Sequence, residues 1–239
     1  MSSARDVLRR SVFEVKTFIA RYPAIALPIA RRRHGQPVDP ATRLVIEGFP
    51  RTGTSFAYAA FLMAQPEPVR VAAHVHAPAQ VIEGVRGGIP VLVIARDPRE
   101  TVLSFVVRNP HIALDRATRA YLRFYEPLLP LREGFVVGSF PDVTADFGAV
   151  IRRVNQRFGT EFGIFEHTPE NVSAVFAQID KDYRRRLPEG ERLEREVARP
   201  SRVRDQMKER IRAEWDSSHL TSVRGRAESV YERLTDDGT

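Results

Sequence analysis

The stretch from Leu44 to Phe61 constrains the fold more than any other part of this chain. A short apolar run, Leu44-Val45-Ile46, is followed by Gly48, Pro50 and Gly53. Thr54 and Ser55 come next, and then the helix-forming run Phe56 to Met63. The pattern reads as a buried strand, a glycine-bearing turn and a helix. That order builds an anion cradle, because the free N–H groups of a helix start and the dipole behind them favour phosphate. The spacing Gly48-x4-Gly53-Thr54-Ser55 is that of the phosphate-binding loop GxxxxGK[ST], with Thr54 where the lysine stands. The cation within the loop is Arg51, before the second glycine. A tight turn carrying two glycines for purely structural reasons is the competing explanation. The apolar run before the turn and the hydroxyls after it weigh against that.

The rest of the chain supplies a sheet for this cradle. Further strands are expected at Val69 to Val75, Pro90 to Ala95 and Gly134 to Phe140. The run Val91-Leu92-Val93-Ile94 is continuous rather than alternating, as a strand covered on both faces requires. Helices are expected at Pro98 to Arg108, Asp115 to Leu131, Asp146 to Phe158 and Pro169 to Leu187, with others from about Ser201 and after Ser217. The alternation predicts an α/β fold with three layers, a P-loop-like central parallel sheet flanked by helices. A single domain is expected over residues 1–239, with a helical extension over 1–40. A charged C-terminal region over 182–239 is expected to include a mobile flap near 182–200. Ligands of such sheets lie at the carboxyl ends of the strands, where the cradle, His74, His76 and Arg96 all fall.

Bulk properties narrow the field. The 239 residues are 43% hydrophobic, enough for a sizeable core, and carry a net charge of +7 that suits an anionic ligand. The chain has no cysteine, so disulfides, thiolate catalysis and cysteine metal sites are excluded; an intracellular, cytoplasmic setting is expected. Almost all basic residues are arginine, a bias that a GC-rich genome also produces. Ser11 to Ala30 is interrupted by Glu14, Lys16 and Arg21 and broken by Pro23 and Pro28, so neither a membrane span nor a signal peptide is expected. Val12, Val15, Phe18 and Ile19 share a helical face. That face, with Arg31-Arg32-Arg33 behind it, would either pack on its own domain or make peripheral membrane contact. Basic and aromatic residues are too little interleaved to suggest nucleic-acid binding.

A nucleoside triphosphatase would require the missing lysine, a hydroxyl for magnesium and an aspartate at a neighbouring strand end. Asp97 lies near such an end, but Arg96 precedes it and argues for a second anion instead of a metal. The pattern resembles the sulfotransferases that use 3′-phosphoadenosine 5′-phosphosulfate (PAPS). Their first motif, P-[KR]-[ST]-G-[ST]-[ST] before an aromatic residue, is matched by Pro50-Arg51-Thr52-Gly53-Thr54-Ser55-Phe56. Their second motif, an arginine after an apolar strand with a serine eight positions on, is matched by Arg96 and Ser104. Between the two, His76-Ala77-Pro78 stands where the family places a catalytic histidine. The resemblance spans residues 43–158.

The resemblance implies a role for each of these residues. Arg51 to Phe56, through Thr52, Gly53, Thr54 and Ser55, would hold the 5′-phosphosulfate, and Arg51 would neutralise charge on the leaving oxygen. Arg96 and Ser104 would grip the 3′-phosphate. His76 would be the base, with His74 assisting or taking its place; no metal is required. The acceptor would be a small molecule or a carbohydrate presenting a hydroxyl or an amine. Relatives close over the nucleotide with an Arg-Lys-Gly segment that this chain lacks. Arg199 and Arg202 are the candidates in its place, while Arg184-Arg185-Arg186 reads as surface charge. The alternative is a P-loop-type nucleotide kinase or phosphatase using ATP and magnesium.

Overall fold

The computed structural model describes residues 4–32, 35–187 and 190–236; of these, the side chains of residues 4–7, 191 and 192 are left undescribed. Arg33, the last of the arginine run, and residues 188–189 of the expected flap lie outside the described residues, as do the ends of the chain at 1–3 and 237–239. In chain order the elements are α1 (Ala4–Ile19), α2 (Pro23–Arg31), β1 (Leu44–Gly48), α3 (Thr54–Ala64), β2 (Val71–Ala73) and α4 (Pro78–Arg86). Then follow β3 (Val91–Ala95), α5 (Pro98–Arg108), α6 (Leu114–Tyr125), a 3-10 segment (Glu126–Gly134), β4 (Val136–Ser139), α7 (Phe140–Ala145) and α8 (Phe147–Phe158). The chain continues through α9 (Pro169–Arg184), α10 (Glu191–Glu196), α11 (Arg202–Trp215), a 3-10 turn (Ser218–Leu220) and α12 (Thr221–Thr235).

The sheet has the order β2-β1-β3-β4 and is parallel throughout, with Val45 opposite Val91, Leu44 opposite Val71 and Leu92 opposite Val136. Every residue of β1 and β3 is buried, which explains the continuous apolar runs. Alternate strand residues feed two cores, as the pleat demands. Val45, Val91 and Val93 face the helices α4, α5, α6 and α12. Leu44, Ile46, Leu92 and Ile94 face α3, α8 and α9. The three-layer α/β architecture expected from sequence is therefore present. Because α3 and α5 lie on opposite faces, the connections leaving the adjacent strands β1 and β3 part at their carboxyl ends. That divergence opens a crevice, and the site lies in it.

Several element ends move for local reasons. The strand expected over Val69 to Val75 is only Val71–Ala73, because His74 and His76 take positive φ and cannot continue a ladder. The helix expected to Leu131 stops at Tyr125, where Pro127 removes a donor and the backbone tightens into 3-10 turns. The N-terminal segment is two helices, the second opened by Pro23 at its first turn. The helix α7 was not expected; Ser139 Oγ caps it by accepting from Asp142 N. The C-terminal helix buries Val223, Ala227, Val230 and Leu234 at helical spacing. Within the segment expected as a flap, Leu193 and Val197 are buried. Among the described residues no helix is long and apolar enough to cross a membrane.

Candidate active site

The cradle is a turn between β1 and α3 whose shape depends on two glycines. Gly53 has φ 100°, open to glycine and strained for other residues, and a Cβ there would press on the Phe140 ring at 3.2 Å. A Cβ on Gly48 would come within 2.5 Å of the Ile94 carbonyl oxygen. Thr54 opens α3, so the first N–H groups of that helix have no carbonyl partner within it. Thr54, Ser55, Gly53 and Phe56 line the cavity. Thr52 is fully buried and donates its hydroxyl to the Phe49 carbonyl at 2.8 Å, so this hydroxyl holds the turn and does not face a ligand.

Arg51 reaches across the crevice. Its Nε donates to Ser104 Oγ at 3.1 Å, and its terminal nitrogens donate to the carbonyl oxygens of Glu196 at 2.9 Å and Val197 at 3.4 Å. Burial lowers its pKa, and the charges of Arg204 and Arg108 add to the effect. Arg96, after β3, lies over the Phe140 ring, its guanidinium carbon 4.0 Å from the ring centre. It also donates to the Arg51 carbonyl at 3.4 Å and faces Glu100 at 3.6 Å. Asp97 is taken up as the cap of α5, accepting from Glu100 N at 3.0 Å, and does not point at a metal site. No cluster of metal-ligating side chains occurs among the described residues.

The histidine loop is organised by a residue that the sequence analysis passed over, Glu47. This carboxylate on β1 is fully buried and accepts from Gly48 N, Val75 N, His76 N and the Gln80 side-chain amide, all at 3.0 to 3.2 Å. Burial nevertheless pushes its pKa up to about 8. His76 Nδ1 lies 2.8 Å from the Gly48 carbonyl oxygen and 3.6 Å from Glu47. A carbonyl can only accept, so Nδ1 carries the proton and Nε2 keeps its lone pair. Burial lowers the His76 pKa to about 4, with His74 and Arg108 adding to the shift and the Gly48 carbonyl opposing it. His74 stands with its ring against Tyr58 at 4.9 Å; its pKa is also lowered, first by burial and then by Arg186.

Three residues other than glycine have positive φ among the described residues: Arg51, His74 and His76. Each costs of the order of 1 kcal/mol or more, and such strain collects at functional sites. All three line one cavity of about 1040 Å³, together with Arg96 and Ser104.

The cavity holds more positive charge than the sequence motifs announced. Arg108, Arg186, Arg204 and Lys208 line it as well, and Arg199 does too. Arg199 is committed to Asp180 at 2.9 Å and Glu194 at 2.7 Å. Arg202 is exposed and does not line the cavity. The inward residue of that turn is Arg204, buried and donating to the Val197 carbonyl at 2.6 Å, the Glu194 carbonyl at 2.9 Å and the Arg199 carbonyl. Of the run Arg184-Arg185-Arg186, the first two pair with Asp180 and Asp182 on the surface, while Arg186 sits on the cavity rim. Gln36 also lines the cavity, and its side-chain oxygen is buried without a partner. Helix phase separates Arg204 from Arg202, and sequence could have supplied that signal. Nothing in the sequence singled out Glu47 or Gln36.

No protein-family model matches this sequence, and no curated protein matches it. Among solved structures the chain is similar to mouse sulfotransferase SULT7A1 complexed with PAP, at 8% identity and a TM-score of 0.43, over 81% of this chain and 89% of that one. That likeness is too distant to carry an argument about activity, which has to come from the site.

Proposed function

We propose that this chain transfers a sulfuryl group from PAPS to a hydroxyl or amine of an acceptor, without a metal ion. The observation that carries this reading is the single crevice shared by an anion cradle, a second arginine-based anion site and a histidine with a free Nε2. The residues fit the donor. The helix start of α3 and Arg51 suit the phosphosulfate end, and Arg96 with Ser104 suits the 3′-phosphate. The donor would supply an activated sulfur whose bridging oxygen leaves with the electron pair as adenosine 3′,5′-bisphosphate.

The protein's part is positional and electrostatic. His76 Nε2 takes the proton of the acceptor hydroxyl as its oxygen bonds to sulfur. The Gly48 carbonyl and Glu47 hold the imidazole in the tautomer that makes this possible. Arg51 follows the charge that develops on the leaving oxygen, where fixed cations contribute most. Gln36, Tyr58 and His74 also line the cavity and suit a polar acceptor.

Calorimetry tests the reading. Adenosine 3′,5′-bisphosphate should bind without magnesium, and Arg96→Ala should abolish that binding. Binding of ATP with magnesium but not of the bisphosphate would favour a kinase or phosphatase and overturn the reading. A screen of acceptors with labelled PAPS then identifies the second substrate.

A further inference from the structure

The apolar face expected on the N-terminal helix does not pack on the domain. Helix α1 instead meets α6 through its other side. Glu14 pairs with Arg123 and Arg116, Thr17 accepts from Arg123 at 2.8 Å, and the Phe13 ring rests on Phe105. Among its described side chains, Phe13 and Ile19 are half-buried and the other apolar residues point outward, with Leu8 64% exposed, Val12 57%, Val15 59% and Phe18 48%. The row continues onto α2 with Tyr22, Ile25 and Ile29, all exposed. Within each helix the spacing of three or four residues keeps these side chains on one side, and the Phe18 and Tyr22 rings, 6.2 Å apart, join the two rows. Few folded surfaces leave so continuous an apolar strip uncovered.

The charges around the strip indicate what covers it. Arg9, Arg21, Arg31 and Arg32 are exposed along the same two helices. Among their described side chains the one acid, Glu14, is turned inward onto α6. The Arg21 guanidinium lies over the rings of Phe18 and Tyr22, at 4.7 and 4.8 Å, so cation and apolar surface are presented together. A second copy of the chain would bring this positive rim against an identical one. A bilayer with anionic headgroups meets both features at once: acyl chains take the strip and headgroup phosphates take the arginines.

We infer that α1 and α2 form a peripheral docking surface for an anionic phospholipid bilayer. The surface adjoins the site, because the Ala79 amide donates to the Ala20 carbonyl at 3.0 Å and α2 packs Ala26 and Leu27 against Ala77. The inference does not depend on which reaction the cavity performs.

The test uses the full chain and vesicles of phosphatidylcholine with and without phosphatidylglycerol. The protein should sediment with the anionic vesicles alone and be released as salt is raised. The double variant Val12→Glu/Val15→Glu should lower the partition coefficient by about tenfold or more. Because the chain has no cysteine, Val15→Cys also gives a unique labelling position. A polarity-sensitive dye there should shift to the blue on anionic vesicles, and the same dye at Arg210→Cys on α11 should not. This second readout decides the matter if the glutamate variant fails to fold. Absence of binding, binding indifferent to the glutamates, or a dimer in light scattering that the glutamates dissociate would each overturn the inference.

Discussion

The Arg51 side chain donates through Nε to Ser104 Oγ at 3.1 Å, joining the turn after β1 to the helix after β3 across 53 positions of sequence. The two motifs therefore form one continuous polar surface before any ligand arrives. Removing the hydroxyl should leave a buried guanidinium N–H without its partner. Ser104→Ala is expected to weaken adenosine 3′,5′-bisphosphate binding by about tenfold, about 1.4 kcal/mol, in a calorimetric titration. Unchanged affinity would mean that the Ser104 hydroxyl contributes nothing to the bisphosphate site.

The histidine loop yields a prediction about turnover and its pH profile. His76→Ala should reduce kcat by about a hundredfold to ten-thousandfold while bisphosphate affinity stays within about twofold. Burial lowers the pKa of His76 to about 4, so the neutral base is present at all higher pH values. The acid limb of kcat/KM should fall near pH 4 and not near the ordinary histidine value of 6.5. If His74→Ala abolishes turnover and His76→Ala does not, the base has been assigned to the wrong ring.

Glu47 gives a stability signature of opposite sign to an ordinary carboxylate. Its pKa rises from 4.5 to about 8 on folding, so the native state holds a proton that the unfolded state has lost. That contribution is complete below pH 4.5 and disappears as pH climbs through about 8. His76, lowered from 6.5 to about 4, works the other way, its contribution lost as pH falls from 6.5 toward about 4. Between pH 6.5 and 8 the Glu47 slope stands alone. Urea unfolding should show the wild type losing on the order of 2 kcal/mol across that interval relative to Glu47→Gln. Parallel curves for the two proteins would contradict the raised pKa.

Arg204 and Arg202 separate two views of the C-terminal segment. Arg204 is buried and holds the Glu194 to Arg199 carbonyls, including Val197, which itself bonds Arg51. Arg204→Ala should cost roughly 2 to 4 kcal/mol of stability and weaken bisphosphate binding. Arg202→Ala, at an exposed position, should change neither by more than about 0.5 kcal/mol. An equal effect from both would show that α11 rearranges when the nucleotide binds.

Much of this molecule was legible in its sequence because the signals were local. Continuous apolar runs marked the strands, Pro98 marked the start of α5, and the glycine pattern marked the cradle. What escaped was fixed by contacts distant in sequence. Glu47 looked like an unremarkable residue at a strand end; its meaning comes from Val75, His76 and Gln80, which only the parallel pairing of β1 with β2 brings near. The outward turn of Val12, Val15 and Phe18 was equally hidden, since an amphipathic pattern gives a face but not its partner. The choice between Arg202 and Arg204 depended on the phase of α11 against Val197 rather than on charge density.

The three-residue strand β2 is too short for ladder bonds alone to steady the histidine loop that follows it. Glu47 takes over that task from the central strand beside it, like a bracket fixed to a wall stud that carries the shelf in front. Foldedness and site geometry are thereby assigned to different groups: the apolar faces of β1 and β3 hold the chain together, and one carboxyl group holds the loop that carries the imidazole. A variant altered at that carboxyl can keep every helix and strand and still present the ring in the wrong direction. For this protein, a cooperative melting curve alone would say little about whether the site is assembled.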